Sequence, residues 1–147
     1  MSSPAPVWLD DIVREFGRSA GLSDFALNDR GAAAISFETG AQLRFEYAFE
    51  SLVVALSFPY PVSDPAAARR LLVAAHPGAR PGFKLRAGLL EKNGRAILAA
   101  RFPERETTLP AVNAAFSALW RIAEDLAGGP ARWKSPAPHT HSPSTPA

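Results

Sequence analysis

The chain has 147 residues, 47% hydrophobic and 20% charged, which suits one soluble domain with a core of its own. Cysteine is absent, so a disulfide framework and thiol chemistry are excluded. The formal net charge is +2, but residues 1–65 hold four Arg against nine Asp and Glu, a net of −5, while residues 66–105 hold nine Lys and Arg against two Glu, a net of +7. Such polarity can steer a partner or set the geometry of an assembly.

The N-terminus, MSSPAPVWLDD, has neither the basic nor the apolar region of a secretory signal. No apolar run approaches the roughly 20 residues of a membrane span, so the expectation is a cytoplasmic protein with no membrane insertion. Val7 to Ala20 reads as a helix, because Trp8, Leu9, Ile12, Val13, Phe16 and Ala20 recur at helical spacing. Gly21 suits its C-terminal end and Leu22 the apolar contact of a Schellman motif. Gly17 inside it either permits a close approach or is merely tolerated.

Asn28-Asp29-Arg30-Gly31 is a turn, and three short strands follow it: Ala32–Glu38, Ala41–Tyr47 and Ser51–Phe58. The middle one alternates, with Ala41, Leu43, Phe45 and Tyr47 on one side and Gln42, Arg44 and Glu46 on the other. Glu38-Thr39-Gly40 makes the first connection and Tyr47 to Ser51 a longer second one. The third strand is apolar on both faces: Leu52, Val54, Leu56 and Phe58 on one, Val53 and Ala55 on the other. The second face needs cover from a helix, a second copy or a partner, and helix one or three is the favoured cover for Val53 and Ala55.

Asp64 and Pro65 open a second helix that runs to about His76, as N-cap and first helical residue. It is rich in alanine and carries Leu71, Leu72 and Val73 as its few large apolar groups. Phe83–Glu91 and Arg95–Phe102 form a hairpin, with Lys92-Asn93-Gly94 favouring a type I′ turn. Its outward positions, Lys84, Arg86, Arg95 and Arg101, hold much of the basic charge. The third helix runs from near Thr108 to about Ala127 on the stripe Leu109, Val112, Phe116, Leu119, Trp120, Ala123 and Leu126. Residues 130–147 are rich in Pro, Ser and Thr and are expected to form a disordered tail to a folded domain at 7–129.

The order α-β-β-β-α-β-β-α describes a single α+β domain, a five-stranded, mainly antiparallel sheet with three helices. No constellation for catalysis stands out: there is no phosphate loop, no G-x-S-x-G and no H-E-x-x-H. His139 and His141 in the tail are a weak pair for a metal, and adjacent acids such as Asp10 and Asp11 do not share a helix face. The reading is therefore no enzyme, no cofactor and no metal. A nucleic-acid-binding module using the basic region 69–101 is the alternative, since the first five elements match the order of double-stranded RNA-binding domains. Against it, Asp64-Pro65-Ala66-Ala67-Ala68 stands where such a domain wants lysines.

The stretch from Phe16 to Gly31, a helix ending in Gly21-Leu22 and then Leu27-Asn28-Asp29-Arg30-Gly31, followed by Phe37-Glu38-Thr39-Gly40, resembles the opening of the class I type III secretion chaperones, the Tir-chaperone-like family. Element order over residues 7–127 agrees. The resemblance implies a small homodimer in the bacterial cytoplasm that binds the N-terminal region of a secreted effector, keeps it secretion-competent and presents it to the export apparatus. It implies a dimer interface on the second helix and nearby strands, here Leu71, Leu72, Ala75 and Leu89. It implies cargo contact through apolar grooves and strand addition, for which Leu43, Phe45, Val53 and Ala55 are the candidate residues.

Overall fold

Three helices and five strands follow one another as α1 (Val7–Ser19), β1 (Ala32–Ser36), β2 (Gln42–Ala48), β3 (Ser51–Pro59), α2 (Pro65–Ala74), β4 (Leu85–Leu90), β5 (Arg95–Pro103) and α3 (Leu109–Leu126). The computed structural model describes residues 5–22, 24–76 and 85–128. The expected tail, the two central histidine positions in it, and Phe83 and Lys84 lie outside the described residues. The strands form one antiparallel sheet in the order β1-β2-β3-β5-β4, the α+β arrangement that the element order implies.

Local chemistry explains most boundaries. Gly21 takes φ 83° after α1, its N–H donates to Arg18 and that of Leu22 donates to Gly17, which is a Schellman end. Asp10 ties the following segment down: its carboxylate accepts from the Leu27 N–H at 3.0 Å and from Arg14 Nε at 2.8 Å. Asp64 caps α2 by accepting from the Ala66 N–H at 3.0 Å, and Thr108 caps α3 by accepting from the Ala111 N–H at 3.2 Å.

Two turns differ from their expected chemistry. Between β2 and β3 the connection is tight, with Ala48 opposite Ser51 and both Phe49 and Glu50 in the left-handed region, at φ 52° and 56°. That is a type I′ pattern built from residues that resist it. Between β4 and β5 the Asn-Gly signal instead ends a single 3-10 turn, Glu91–Asn93, with Gly94 left-handed at φ 62°.

The register decides the faces, because residues opposed across strands point to the same side. Ala33, Phe45, Val54, Ala100 and Leu85 form one cross-strand row, and Ile35, Leu43, Leu56, Leu98 and Ala87 the next. All three helices pack on this side. The Phe16 ring of α1 lies 5.0 Å from that of Phe45. Trp120 of α3 meets Phe37 at 5.1 Å, edge to face. Leu71 of α2 joins the same core, and the Tyr60 hydroxyl donates to the Ala67 carbonyl at 2.6 Å.

The opposite side carries the rows Ala34, Arg44, Ala55, Ala99, Arg86 and Ala32, Glu46, Val53, Arg101. None of these residues belongs to the core. The expectation that helix one or three covers Val53 and Ala55 is therefore overturned: every helix lies behind the other face. Ala34 and Ala55 are nonetheless buried, at 5% and 8% exposed.

Candidate functional site

A groove of about 410 Å³ opens between the end of α1, the start of α3 and the β1–β2 turn. Phe16, Leu22, Phe37, Leu43 and Phe116 give it an apolar lining, and Ser19, Asn113 and Ser117 add polar groups. The lining is held by ring contacts: Phe16 and Phe116 meet edge to face at 5.4 Å, and Phe37 stacks on Phe116 at 6.4 Å. No histidine, lysine or carboxylate stands in the lining to activate its serine hydroxyls; its chemistry is that of a receptacle for apolar side chains.

The groove lies beside an open strand edge. The Phe37 N–H donates to Ala41 and the Tyr47 N–H to Gly31, so by alternation Ala33 and Ile35 bond to β2. Ala32, Ala34 and Ser36 turn their backbone groups outward. Asn28 occupies Ala32, with its own N–H donating to the Ala32 carbonyl at 2.8 Å and its Oδ1 accepting the Ala32 N–H at 3.0 Å. Ala34 is nonetheless buried, at 5% exposed, so among the described residues Ser36 is where the outward backbone groups of this edge are open. β1 carries no Pro, Lys or other charge to blunt this edge.

The helix-free face of the sheet is the second candidate surface. Apolar groups, Val53, Ala55, Ile97 and Ala99, occupy its centre on β3 and β5, and Arg44, Arg86, Arg95 and Arg101 stand among and beside them. Arg95 donates to the Gly40 carbonyl at 2.7 Å and to Ser57 Oγ at 3.1 Å, and partial burial pushes its guanidinium below its ordinary pKa.

The candidate residues of the sequence divide accordingly. Leu43 and Phe45 are on the helix-covered side and 1% and 0% exposed; Leu43 lines the groove, while Phe45 packs behind it between Phe16 and Phe25. Phe45 therefore presents no surface to a cargo in this state. Val53 and Ala55 lie on the bare face. Of the candidate dimer residues, Leu71 and Ala75 are buried in the chain's own core and Leu89 packs against it. Leu72 alone is well exposed, at 65%, beside Val73 at 67%.

The basic run 69–101 does not form one surface. Arg69 and Arg70 are exposed on α2, on the helix side, whereas Arg86, Arg95 and Arg101 belong to the opposite face of the sheet. Arg80 and Lys84 lie outside the described residues. Among those residues there is also no group of three or more His, Asp or Glu that could hold a metal ion, and no helix is long and apolar enough to cross a membrane.

The profile of the type III secretory system chaperone SycN family matches residues 8–127. The chain belongs to that family. The match covers α1 to α3 and so includes the groove, the open edge and the bare face. It agrees with the resemblance carried by the Phe16–Gly31 stretch at the level of type III secretion chaperones; the narrower class I grouping is not part of it. It gives no support to the nucleic-acid alternative.

Solved structures agree on the fold. A chain of the ExsC–ExsE complex is 18% identical with a TM-score of 0.66, over 94% of this chain and 99% of that one. A chain of the HopA1–SchA chaperone–effector complex is 21% identical with a TM-score of 0.60, over 85% and 97%. The Yersinia pestis type III secretion chaperone SycH, solved with a fragment of YscM2, is 16% identical with a TM-score of 0.62, over 80% and 98%. No curated protein sequence matches the chain.

Sequence reasoning missed Phe37, Phe116 and Ser117 as parts of one groove. Phe37 had a signal, since it opens the Phe37-Glu38-Thr39-Gly40 turn, but its meeting with α3 is a tertiary fact. It also missed Phe49, which stands 92% exposed on the strained β2–β3 turn.

Proposed function

We propose that this chain is a chaperone that binds the N-terminal region of a secreted effector in the bacterial cytoplasm, keeps it secretion-competent and presents it to the export apparatus, without catalysing a reaction. One observation carries this reading: a chaperone-family match over residues 8–127 falls on a chain whose apolar groove opens beside an unpaired strand edge. An extended segment added along β1 would take the open backbone groups of Ser36 and place an apolar side chain in the groove. The division of labour follows from the chemistry: the edge supplies affinity without regard to sequence, and the groove selects what is bound.

The chain acts as a homodimer in this reading, with Leu72 and Val73 of α2 at the seam, because two adjacent exposed aliphatic side chains on a short helix favour a second apolar surface. Leu71 and Ala75 support that seam from beneath rather than forming it.

Co-expression with the N-terminal segments of secreted proteins encoded nearby tests the proposal. The expected result is a soluble complex with at least one of them. Ser117→Trp, which fills the groove from an exposed position, should abolish it while leaving the fold intact. Failure to capture any such segment, or capture indifferent to Ser117→Trp and to Ser36→Pro on the edge, would sink it.

A further inference from the structure

The bare face of the sheet holds cations that, among the described residues, have no carboxylate partner. Glu46 is the one carboxylate that the strands place there, and Arg44 already holds it at 3.2 Å. Arg86 and Arg101 are exposed, opposite Ala99 and Val53 respectively, and among the described residues neither they nor Arg95 has an ion-pair partner. The centre between them is aliphatic, made of Val53, Ala55, Ile97 and Ala99.

Resting on the chaperone reading above, we propose that this face is a second docking surface, separate from the groove and edge, and that it takes an acidic amphipathic segment of the captured protein. The apolar side of the segment covers Val53, Ala55, Ile97 and Ala99, and its flanking Asp or Glu side chains meet Arg86 and Arg101. Sheet faces expose no backbone partners, so the segment must satisfy its own backbone, as a helix does. The five strands, spaced about 4.8 Å apart, are crossed by a helix of about 13 residues.

Charge selects this occupant over the others. A second copy docked face to face about a two-fold axis would bring cationic faces together. A nucleic-acid backbone would meet the arginines but leave Val53 and Ile97 uncovered. An acidic amphipathic segment satisfies both kinds of group.

The test uses the full chain and a synthetic peptide of about 15 residues that forms an amphipathic helix, leucine on one side and glutamate flanking it, with a matched peptide carrying glutamine for glutamate. Fluorescence anisotropy should show the glutamate peptide binding at least about tenfold more tightly, with affinity falling as salt rises. Arg86→Glu with Arg101→Glu should remove that preference, while Ser117→Trp should leave it unchanged. Equal binding of the two peptides, no binding of either, or loss of binding in Ser117→Trp would overturn the proposal. So would a change of oligomeric mass in the double arginine variant, or a single-stranded oligonucleotide displacing the glutamate peptide. A chain that captures an effector yet ignores the peptide fails this inference alone; one that does neither fails the chaperone reading as well.

Discussion

Strand β3 contributes to two surfaces that differ in every respect except apolarity. Leu52, Val54, Leu56 and Phe58 are fully buried beneath the helices, in a core whose rings from Phe16, Phe25, Phe45, Phe37 and Trp120 meet at centroid distances of 5.0 to 6.2 Å. Val53, Ala55 and Ser57, on the other side, sit in a face of small groups punctuated by guanidinium ions. Large side chains with rings interlock and specify one packing partner. Small side chains with unpaired charges at their margin leave room for a partner and state its sign. The lesson is that side-chain size and charge, more than hydrophobicity, separate a core face from a docking face in this sheet.

The comparison can be broken most easily at Phe45. Phe45→Ala should cost about 3–5 kcal/mol in denaturant unfolding, because it empties the centre of the ring cluster. Val53→Ala, one register row away on the bare face, should cost less than about 1 kcal/mol. Similar losses for the two would mean that the faces have been assigned wrongly.

Gly17→Ala comes next. An added Cβ would lie 2.6 Å from the Phe25 Cβ, so the close approach of α1 to the segment after it would be forced open. A loss of about 1–3 kcal/mol is expected even though alanine is the better helix former; a gain in thermal stability would contradict the packing described.

A change in the opposite direction is expected at the β2–β3 turn. Replacing Phe49 and Glu50 by Asn-Gly removes two non-glycine residues from the left-handed region and should stabilise the chain by about 1–2 kcal/mol, readable as a rise in Tm. If capture of the effector weakens at the same time, the strained, exposed Phe49 contributes to binding; an unchanged or lower Tm would count against the strain.

The smallest effect on stability belongs to Leu72→Asp, within about 0.5 kcal/mol for an exposed helical position. Its expected consequence is on mass: light scattering should fall from twice 15.7 kDa to 15.7 kDa. A wild-type monomer at high concentration would remove α2 from the interface.

The elements were legible because their signals are local. The alternation through Leu43, Phe45 and Tyr47, the Asp64-Pro65 start and the Gly21-Leu22 stop each reflect interactions within a few residues, and each stands in the structure. What covers a face is not local. Period-two reading places Val53 and Ala55 opposite Val54 and Leu56, but their cover depends on where α1 and α3 cross, which no spacing within β3 encodes. The same limit separated Leu71 from Leu72: adjacent on α2 and alike in chemistry, one is buried and the other exposed. The Asn-Gly signal misdirected attention because the tight type I′ turn lies at Phe49-Glu50, held there by the β2–β3 register and by the Glu104 N–H donating to the Glu50 carbonyl at 2.9 Å.

Amide hydrogen exchange of the full chain, alone and with a captured effector segment, tests strand addition most directly. The edge amide of Ser36 should exchange freely in the chaperone alone and become strongly protected in the complex, while those of Ala33 and Ile35, already bonded to β2, change little. A stable complex in which Ser36 still exchanges as freely as before would contradict the capture of the segment along β1.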